Sequence, residues 1–97
     1  MRIISRKILR EFWEKHSDAR QSLQVWYADV KHADWKKPSD IKSVYRNVSF
    51  LSNNRVAFNI KGNTYRVIVV VQYTYGMVYI RFVGTHKEYD RINAETI

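Results

Sequence analysis

Residues 55–83, RVAFNIKGNTYRVIVVVQYTYGMVYIRFV, decide the fold of this chain. A denser apolar row of side chains alternates with a more polar row along most of the stretch. A period of two is typical of β-strands. Turn-forming residues interrupt the alternation at Lys61-Gly62-Asn63 and again at Gly76. The stretch therefore predicts three consecutive antiparallel strands that form an up-and-down meander.

The alternation divides these strands into two faces. The denser apolar face carries Val56, Phe58, Ile60, Tyr65, Val67, Val69, Val71, Val78, Ile80 and Phe82. The second face carries Arg55, Ala57, Asn59, Arg66, Ile68, Val70, Gln72, Tyr79, Arg81 and Val83. We expect helices to cover the first face, because it is too apolar to meet water, and the second face to stay partly open.

Two amphipathic helices are predicted before the strands, because apolar side chains recur there at helical spacing. The first stripe consists of Ile8, Leu9, Phe12 and Trp13, and the second of Leu23, Trp26, Tyr27 and Val30. Ser5 is expected to cap the first helix, and Ser17 or Asp18 to start the second. Pro38 predicts the start of a short third helix with Ser39 as its cap.

Short elements at the two ends complete the predicted order. Residues 1–4 suit an edge strand, and the period of two already begins at Val48. Thr85 is expected to cap a last short helix with Lys87 in its first turn. The predicted fold is α+β, a mostly antiparallel sheet with two N-terminal helices packed on one face and a short C-terminal helix. We expect one domain over residues 1–97, because a chain of 97 residues buries a single core.

Composition narrows the class of protein. The chain has no cysteine, so disulfides and thiolate zinc sites are excluded, and we expect a cytoplasmic location. No apolar run approaches the roughly 20 residues of a membrane span, so we expect no membrane partner. The net charge is +8, and residues 41–87 hold seven basic residues and no acidic one. This stretch predicts a polyanion or an acidic protein segment as partner.

Polar side chains on the second face provide a candidate site. The strands contribute Arg55, Asn59, Arg66, Tyr79 and Arg81, and the chain after them contributes His86 and Tyr89. Guanidinium groups hold phosphate oxygens and stabilise the charge that develops in phosphoryl transfer. Imidazole and phenol groups can move protons near neutral pH. Two plainer alternatives stay open: the arginines only grip phosphate, and His86 only begins a helix.

RNA is the substrate class that suits this set of residues. RNA carries its own nucleophile, the 2′-hydroxyl, so no metal-bound water is needed. Two-metal nucleases use clustered carboxylates, and no acidic residue lies between Asp40 and Glu88. We therefore expect metal-independent cleavage through the 2′-hydroxyl, with no metal ligand and no cofactor.

The motif FNIxGNxxRVI over residues 58–68, followed by IRxxxTHxxYD over residues 80–90, resembles the HigB toxin family of type II toxin–antitoxin systems. WKKP at residues 35–38 and Ile41-Lys42 are also similar to that family, so the likeness covers most of the chain. The resemblance implies a RelE-like toxin domain that cleaves translated mRNA in the ribosomal A site and inhibits translation. It also implies neutralisation by a HigA antitoxin with a helix-turn-helix domain.

Carried over by position, the resemblance implies a site that draws on both motifs. The catalytic set is His86, Arg66, Arg81 and Tyr89, with His86 as general acid or base and the two arginines on the scissile phosphate. The RNA-binding set is Arg55, Asn59, Lys61, Asn63 and Lys87. Two rival functions remain. A non-catalytic RNA- or ribosome-binding module needs only the arginine face, and a ParE-like gyrase poison shares the architecture but lacks the histidine-containing motif.

Overall fold

The computed structural model describes all residues from Met1 to Ile97. The helices are α1 (Arg6–Lys15), α2 (Arg20–His32), α3 (Pro38–Lys42) and α4 (His86–Tyr89), with a 3₁₀ turn at Ser17–Ala19. The strands are β1 (Arg2–Ile4), β2 (Ser49–Phe50), β3 (Arg55–Ile60), β4 (Tyr65–Gln72) and β5 (Met77–Thr85). The predicted order of elements and the α+β class are confirmed. None of the helices is long and apolar enough to cross a membrane.

All five strands form one sheet in the order β1-β5-β4-β3-β2. The strands β3, β4 and β5 are the predicted antiparallel meander, and β2 extends it on one edge. The first strand pairs in parallel with the last one, with Ile3 opposite Val78. The predicted N-terminal edge strand is therefore confirmed, and it is the one parallel strand of the sheet.

The helices cover one face of the sheet and enclose the core there. The buried side chains include Leu9, Trp13, Leu23, Trp26, Val30, Trp35, Val56, Phe58, Val67, Val69, Val71 and Val78. Phe58 is at the centre of an aromatic cluster, with ring centroids 5.4 Å from Trp26 and 5.9 Å from Trp35. This arrangement agrees with the prediction, because the side chains at helical spacing meet the denser apolar face of the strands.

The predicted helix starts are correct in position but partly wrong in chemistry. Ser5 precedes α1 with a left-handed backbone (φ 75°), and its side chain makes no capping hydrogen bond. Ser39 is inside α3, because Pro38 lacks an N–H and takes the first helical position, which makes Lys37 the cap residue. Asp18 lies in the 3₁₀ turn, and it does not cap α2. Thr85 caps α4 as predicted.

A β-bulge at Arg81 corrects the predicted faces of β5. Ile68 pairs with Phe82 and Val69 with Ile80, so Arg81 is the extra residue on β5. The alternation reverses after the bulge, and Val83 rather than Phe82 packs against the helix-side core. Phe82 turns to the second face, where its ring lies over Gly84.

The second face is more covered than predicted. Ala57 and Ile68 lie on this face, and both are fully buried. Residues 93–97 reach this side of the sheet, because the main-chain oxygen of Ile97 accepts hydrogen bonds from Arg55 and Arg81. The C-terminal segment therefore covers part of this face, next to Arg55 and Arg81.

Candidate active site

Arg66 is the centre of the first group of predicted site residues. It lies opposite Asn59 on β3, and its Nε donates a hydrogen bond of 2.9 Å to Asn59 Oδ1. Its Cζ is 4.7 Å from the centroid of the Tyr89 ring, which is a cation–π distance. On the other side Arg66 is opposite Gly84, which has no side chain to compete for the space. The guanidinium is thus held at Nε and against one ring, and its terminal nitrogens make no protein hydrogen bond.

A capping box fixes the helix that carries His86 and Tyr89. Thr85 Oγ1 accepts from the Glu88 N–H at 3.1 Å, and Glu88 Oε1 accepts from the Thr85 N–H at 2.9 Å. The Thr85 N–H also holds the pKa of the Glu88 carboxyl below its usual value. Because α4 begins at Thr85, His86 and Tyr89 are one helical turn apart, with ring centroids separated by 6.4 Å.

His86 has a ring nitrogen without a protein partner. Its Nε2 is buried and makes no hydrogen bond. A buried ring nitrogen of this kind keeps its capacity to give or take a proton, but a substrate reaches it only when neighbouring groups move. The structure therefore places His86 beside Tyr89, with its Nε2 covered, and shows no contact of His86 with Arg66 or Asn59.

The other two arginines form a second group. Arg55 Nε donates to the Ile97 main-chain oxygen at 3.0 Å, and Arg81 Nε donates to the same oxygen at 3.2 Å. These residues come from β3 and β5, on either side of β4, and the bulge positions Arg81 for this contact. Arg81 was predicted beside Arg66, and the structure joins it to Arg55 instead. No sequence signal indicated that the C-terminal segment would hold both arginines.

Lys61 belongs to neither group, because it forms an ion pair with Asp18. Its Nζ is 2.9 Å from Asp18 Oδ2, and the Tyr65 hydroxyl donates to Asp18 Oδ1 at 2.5 Å. Because Tyr65 belongs to the helix-side face, this cluster also lies on that side. The Tyr65 and Lys61 hydrogen bonds lower the pKa of the Asp18 carboxyl.

The remaining predicted contacts are on the surface. Asn63 is in the β3–β4 turn and Lys87 is in the first turn of α4, and both are exposed. Tyr79 does not join Arg66, since its hydroxyl lies 3.5 Å from the Met77 sulfur. No three histidine, aspartate or glutamate side chains lie close enough together to hold a metal ion.

The open sheet with helices on one face and basic side chains on the other fits a small domain that binds a polyanion. A profile for the HigB_toxin family, described as the RelE-like toxic component of a toxin–antitoxin system, matches residues 19–92. This chain belongs to the HigB toxin family. The predicted family and fold are thereby confirmed, and membership in a toxin–antitoxin system implies an antitoxin partner.

Named relatives cover nearly the whole chain. It is 34% identical over 97 residues to the mRNA interferase toxin HigB of Escherichia coli (strain K12). The alignment covers 97% of this chain and 92% of the relative. The mRNA interferase HigB of Shigella flexneri is equally similar, with the same coverage. The mRNA interferase HigB of Escherichia coli O6:H1 is 24% identical over 94 residues, or 95% of this chain and 91% of the relative.

Proposed function

We propose that this toxin is an endoribonuclease that cleaves translated mRNA on the ribosome and thereby inhibits translation. The observation that carries the proposal is the contact of Arg66 with Asn59 and Tyr89, with His86 next to Tyr89 on α4. It provides a phosphate-binding cation beside a group that can transfer a proton. The names of the relatives support the same activity, and the acid-free stretch 41–87 supports an RNA backbone as the ligand.

The reaction that fits these groups is attack by the substrate's own 2′-hydroxyl. A base removes the 2′-proton, the 2′-oxygen bonds to phosphorus, and the bond from phosphorus to the 5′-oxygen breaks as that oxygen gains a proton. The products are a 2′,3′-cyclic phosphate and a 5′-hydroxyl. His86 is proposed as one of the two proton-transfer groups, and its ring nitrogen without a partner supports this role.

Arg66 is proposed to stabilise the phosphate in the transition state. Asn59 occupies its Nε and Tyr89 lies against the guanidinium plane, so the terminal nitrogens keep a fixed direction. Donors that are held in place before the reaction stabilise developing charge most effectively. Asn63, Lys87 and Arg55 are proposed to bind the RNA backbone nearby, and Arg81 to contribute positive charge. Lys61 contributes less, because Asp18 neutralises it.

The partner and location follow from the same proposal. We propose a HigA-type helix-turn-helix antitoxin as the neutralising partner and the cytoplasm as the site of action. We also propose that residues 1–97 act as one toxin domain. Both ends of the chain support this, because Ile3 pairs with Val78 in the sheet and Ile97 contacts Arg55.

A non-catalytic RNA- or ribosome-binding module is the second candidate, and the buried Nε2 of His86 is the observation that favours it. The test is cleavage of a defined mRNA on programmed ribosomes, with chemical analysis of the new ends. We expect a 5′-hydroxyl and a cyclic or opened 3′-phosphate, with no metal requirement beyond that of the ribosome. Ribosome binding without cleavage supports the binding module. A 5′-phosphate rules out attack by the 2′-hydroxyl, and gyrase-linked DNA breaks with intact mRNA indicate a gyrase poison.

A further inference from the structure

We propose that residues 93–97 are an internal competitor for RNA, held on an anion subsite that Arg55 and Arg81 form together. The subsite would take a backbone phosphate that neighbours the cleaved one, and RNA must displace the C-terminal segment to reach it. This inference rests on the proposed function, because it deepens the way in which the same face binds RNA.

Two guanidinium groups converge on one oxygen of the C-terminal segment. Arg55 and Arg81 come from strands that are not neighbours, yet both donate to the Ile97 main-chain oxygen, at 3.0 and 3.2 Å. Two cations this close repel each other unless an acceptor lies between them. The pair is therefore a preformed site for an oxygen anion, and the RNA backbone supplies such oxygens at every nucleotide.

The subsite lies along the same sheet face as Arg66. Arg55 and Asn59 are four residues apart on β3, which is about 13 Å along the strand. Arg81 reaches the same Ile97 oxygen as Arg55, so the pair binds at a point displaced along the face from Arg66. An extended single strand that runs along this face meets both groups in turn. We accordingly assign Arg66 to the scissile phosphate and Arg81 to its neighbour.

Hydrogen bonds within residues 93–97 and to Asn53 hold the C-terminal segment in place. Asn53 Nδ2 donates to the Glu95 main-chain oxygen at 3.2 Å, and Asn93 Oδ1 accepts from the Glu95 N–H at 3.1 Å. The Asn93 main-chain oxygen accepts from the Ile97 N–H at 3.0 Å and closes the turn. The contacts of the Asn53 and Asn93 side chains are exposed, so each adds little stability, and apart from the two arginines nothing buried holds the segment.

The test is binding of a short 2′-O-methyl RNA, which cannot be cleaved, to the full chain and to a chain that ends at Asn93. A competitor that occupies part of the subsite lowers the apparent affinity, so its removal should tighten binding by at least about 3-fold. The salt dependence should also steepen, by about 0.7 in log–log slope for each additional phosphate that the shortened chain binds. Arg55→Gln should abolish the tighter binding of the shortened chain. Arg20→Gln, which removes the same charge from an exposed position on α2, should preserve it.

A single substitution in the full chain provides a second test, in case the shortened chain does not fold. Asn53→Gly removes the anchor of Glu95 and suits the left-handed backbone at this position (φ 61°), so it should shift RNA affinity in the same direction by a smaller factor. Equal or weaker RNA binding in both variants overturns the competition, and so does the absence of any RNA binding. Cleavage of mRNA on ribosomes is measured separately. If the toxin cleaves normally but its variants bind RNA no more tightly, the C-terminal segment does not compete with RNA. The proposed function then still stands.

Discussion

The guanidinium of Arg66 lies against the ring of Tyr89, with its Cζ 4.7 Å from the ring centroid. The sequence motif placed both residues in one site, but it did not show that one supports the other. The contact gives Tyr89 two separable roles, since its ring can hold Arg66 while its hydroxyl can move a proton.

Substitutions at Tyr89 separate these roles. Tyr89→Phe keeps the ring and should leave single-turnover mRNA cleavage within about 3-fold of the parent, because a cation–π contact does not use the hydroxyl. Tyr89→Ala removes a contact worth about 1–2 kcal/mol and should slow cleavage by roughly 5- to 30-fold. If Tyr89→Phe is as slow as Tyr89→Ala, the hydroxyl takes part in the chemistry and the supporting role is secondary.

Replacement of His86 tests whether its imidazole transfers a proton. His86→Gln should retain ribosome binding in co-sedimentation, because one imidazole adds little to a face with this many basic residues. Its cleavage rate should fall by roughly 100-fold or more. Thr85→Ala is the matched control, since it breaks the capping box of α4 and leaves the imidazole present. If both variants lose binding and cleavage equally, His86 only shapes the start of the helix.

Gly84 is a packing position that the bulge created. A Cβ at this residue would lie 2.5 Å from Phe82 Cζ and 3.2 Å from Glu88 Cβ. Gly84→Ala should therefore lower the free energy of unfolding by about 1–3 kcal/mol, measured by urea denaturation. The double variant Gly84→Ala, Phe82→Leu should recover part of that loss, because leucine is shorter than the ring. Additive losses in the double variant would show that the backbone, and not Phe82, resists the added methyl group.

The Asp18 cluster should make stability depend on pH on the acid side. Hydrogen bonds from Tyr65 and Lys61 lower the folded-state pKa of Asp18 below that of the unfolded chain. The stabilisation is thus complete above the unfolded pKa of about 3.9 and is lost as pH falls through the lower folded value. Asp18→Asn should reduce the melting temperature at pH 7, and the difference from the parent should shrink towards pH 2.

An exposed carboxylate provides the control for this pH dependence. Asp34 pairs with Lys36 at 3.1 Å, but the two side chains are 81% and 71% exposed, so the pair contributes little. Asp34→Asn should leave the acid side of the stability profile unchanged. A parallel shift of the whole profile in Asp18→Asn, with no convergence at low pH, would contradict the role assigned to the carboxylate.

The sequence predicted the fold because local patterns agree with long-range packing in most elements. The stripes on α1 and α2 and the alternation along β4 each identify the buried face without reference to any other element. The alternation failed at Arg81, since a bulge adds one residue that depends on the partner strand. The capping roles predicted for Ser5 and Ser39 were also wrong. Ser5 has a left-handed backbone, and Pro38 takes the first helical position before Ser39.

The sequence predicted part of the arrangement of the candidate site. Arg66, Asn59 and Tyr89 meet as expected, and the motif spacing in the β3–β4 hairpin explains why. The pairing of Lys61 with Asp18 joins residues 43 positions apart, and that of Arg55 with Ile97 joins residues 42 apart. Contacts between residues so distant in sequence depend on how whole elements pack, and no local pattern encodes them.

The parallel pairing of β1 with β5 affects how the protein folds during its synthesis. A strand made among the first residues can dock only after residues 77–85 have left the translating ribosome, and contacts so far apart in sequence form late. The candidate site draws on β3, β4 and α4, so it is complete only after residues 86–89 have also left the ribosome. The full sheet and the candidate site therefore form late in synthesis, after most of the chain has been made.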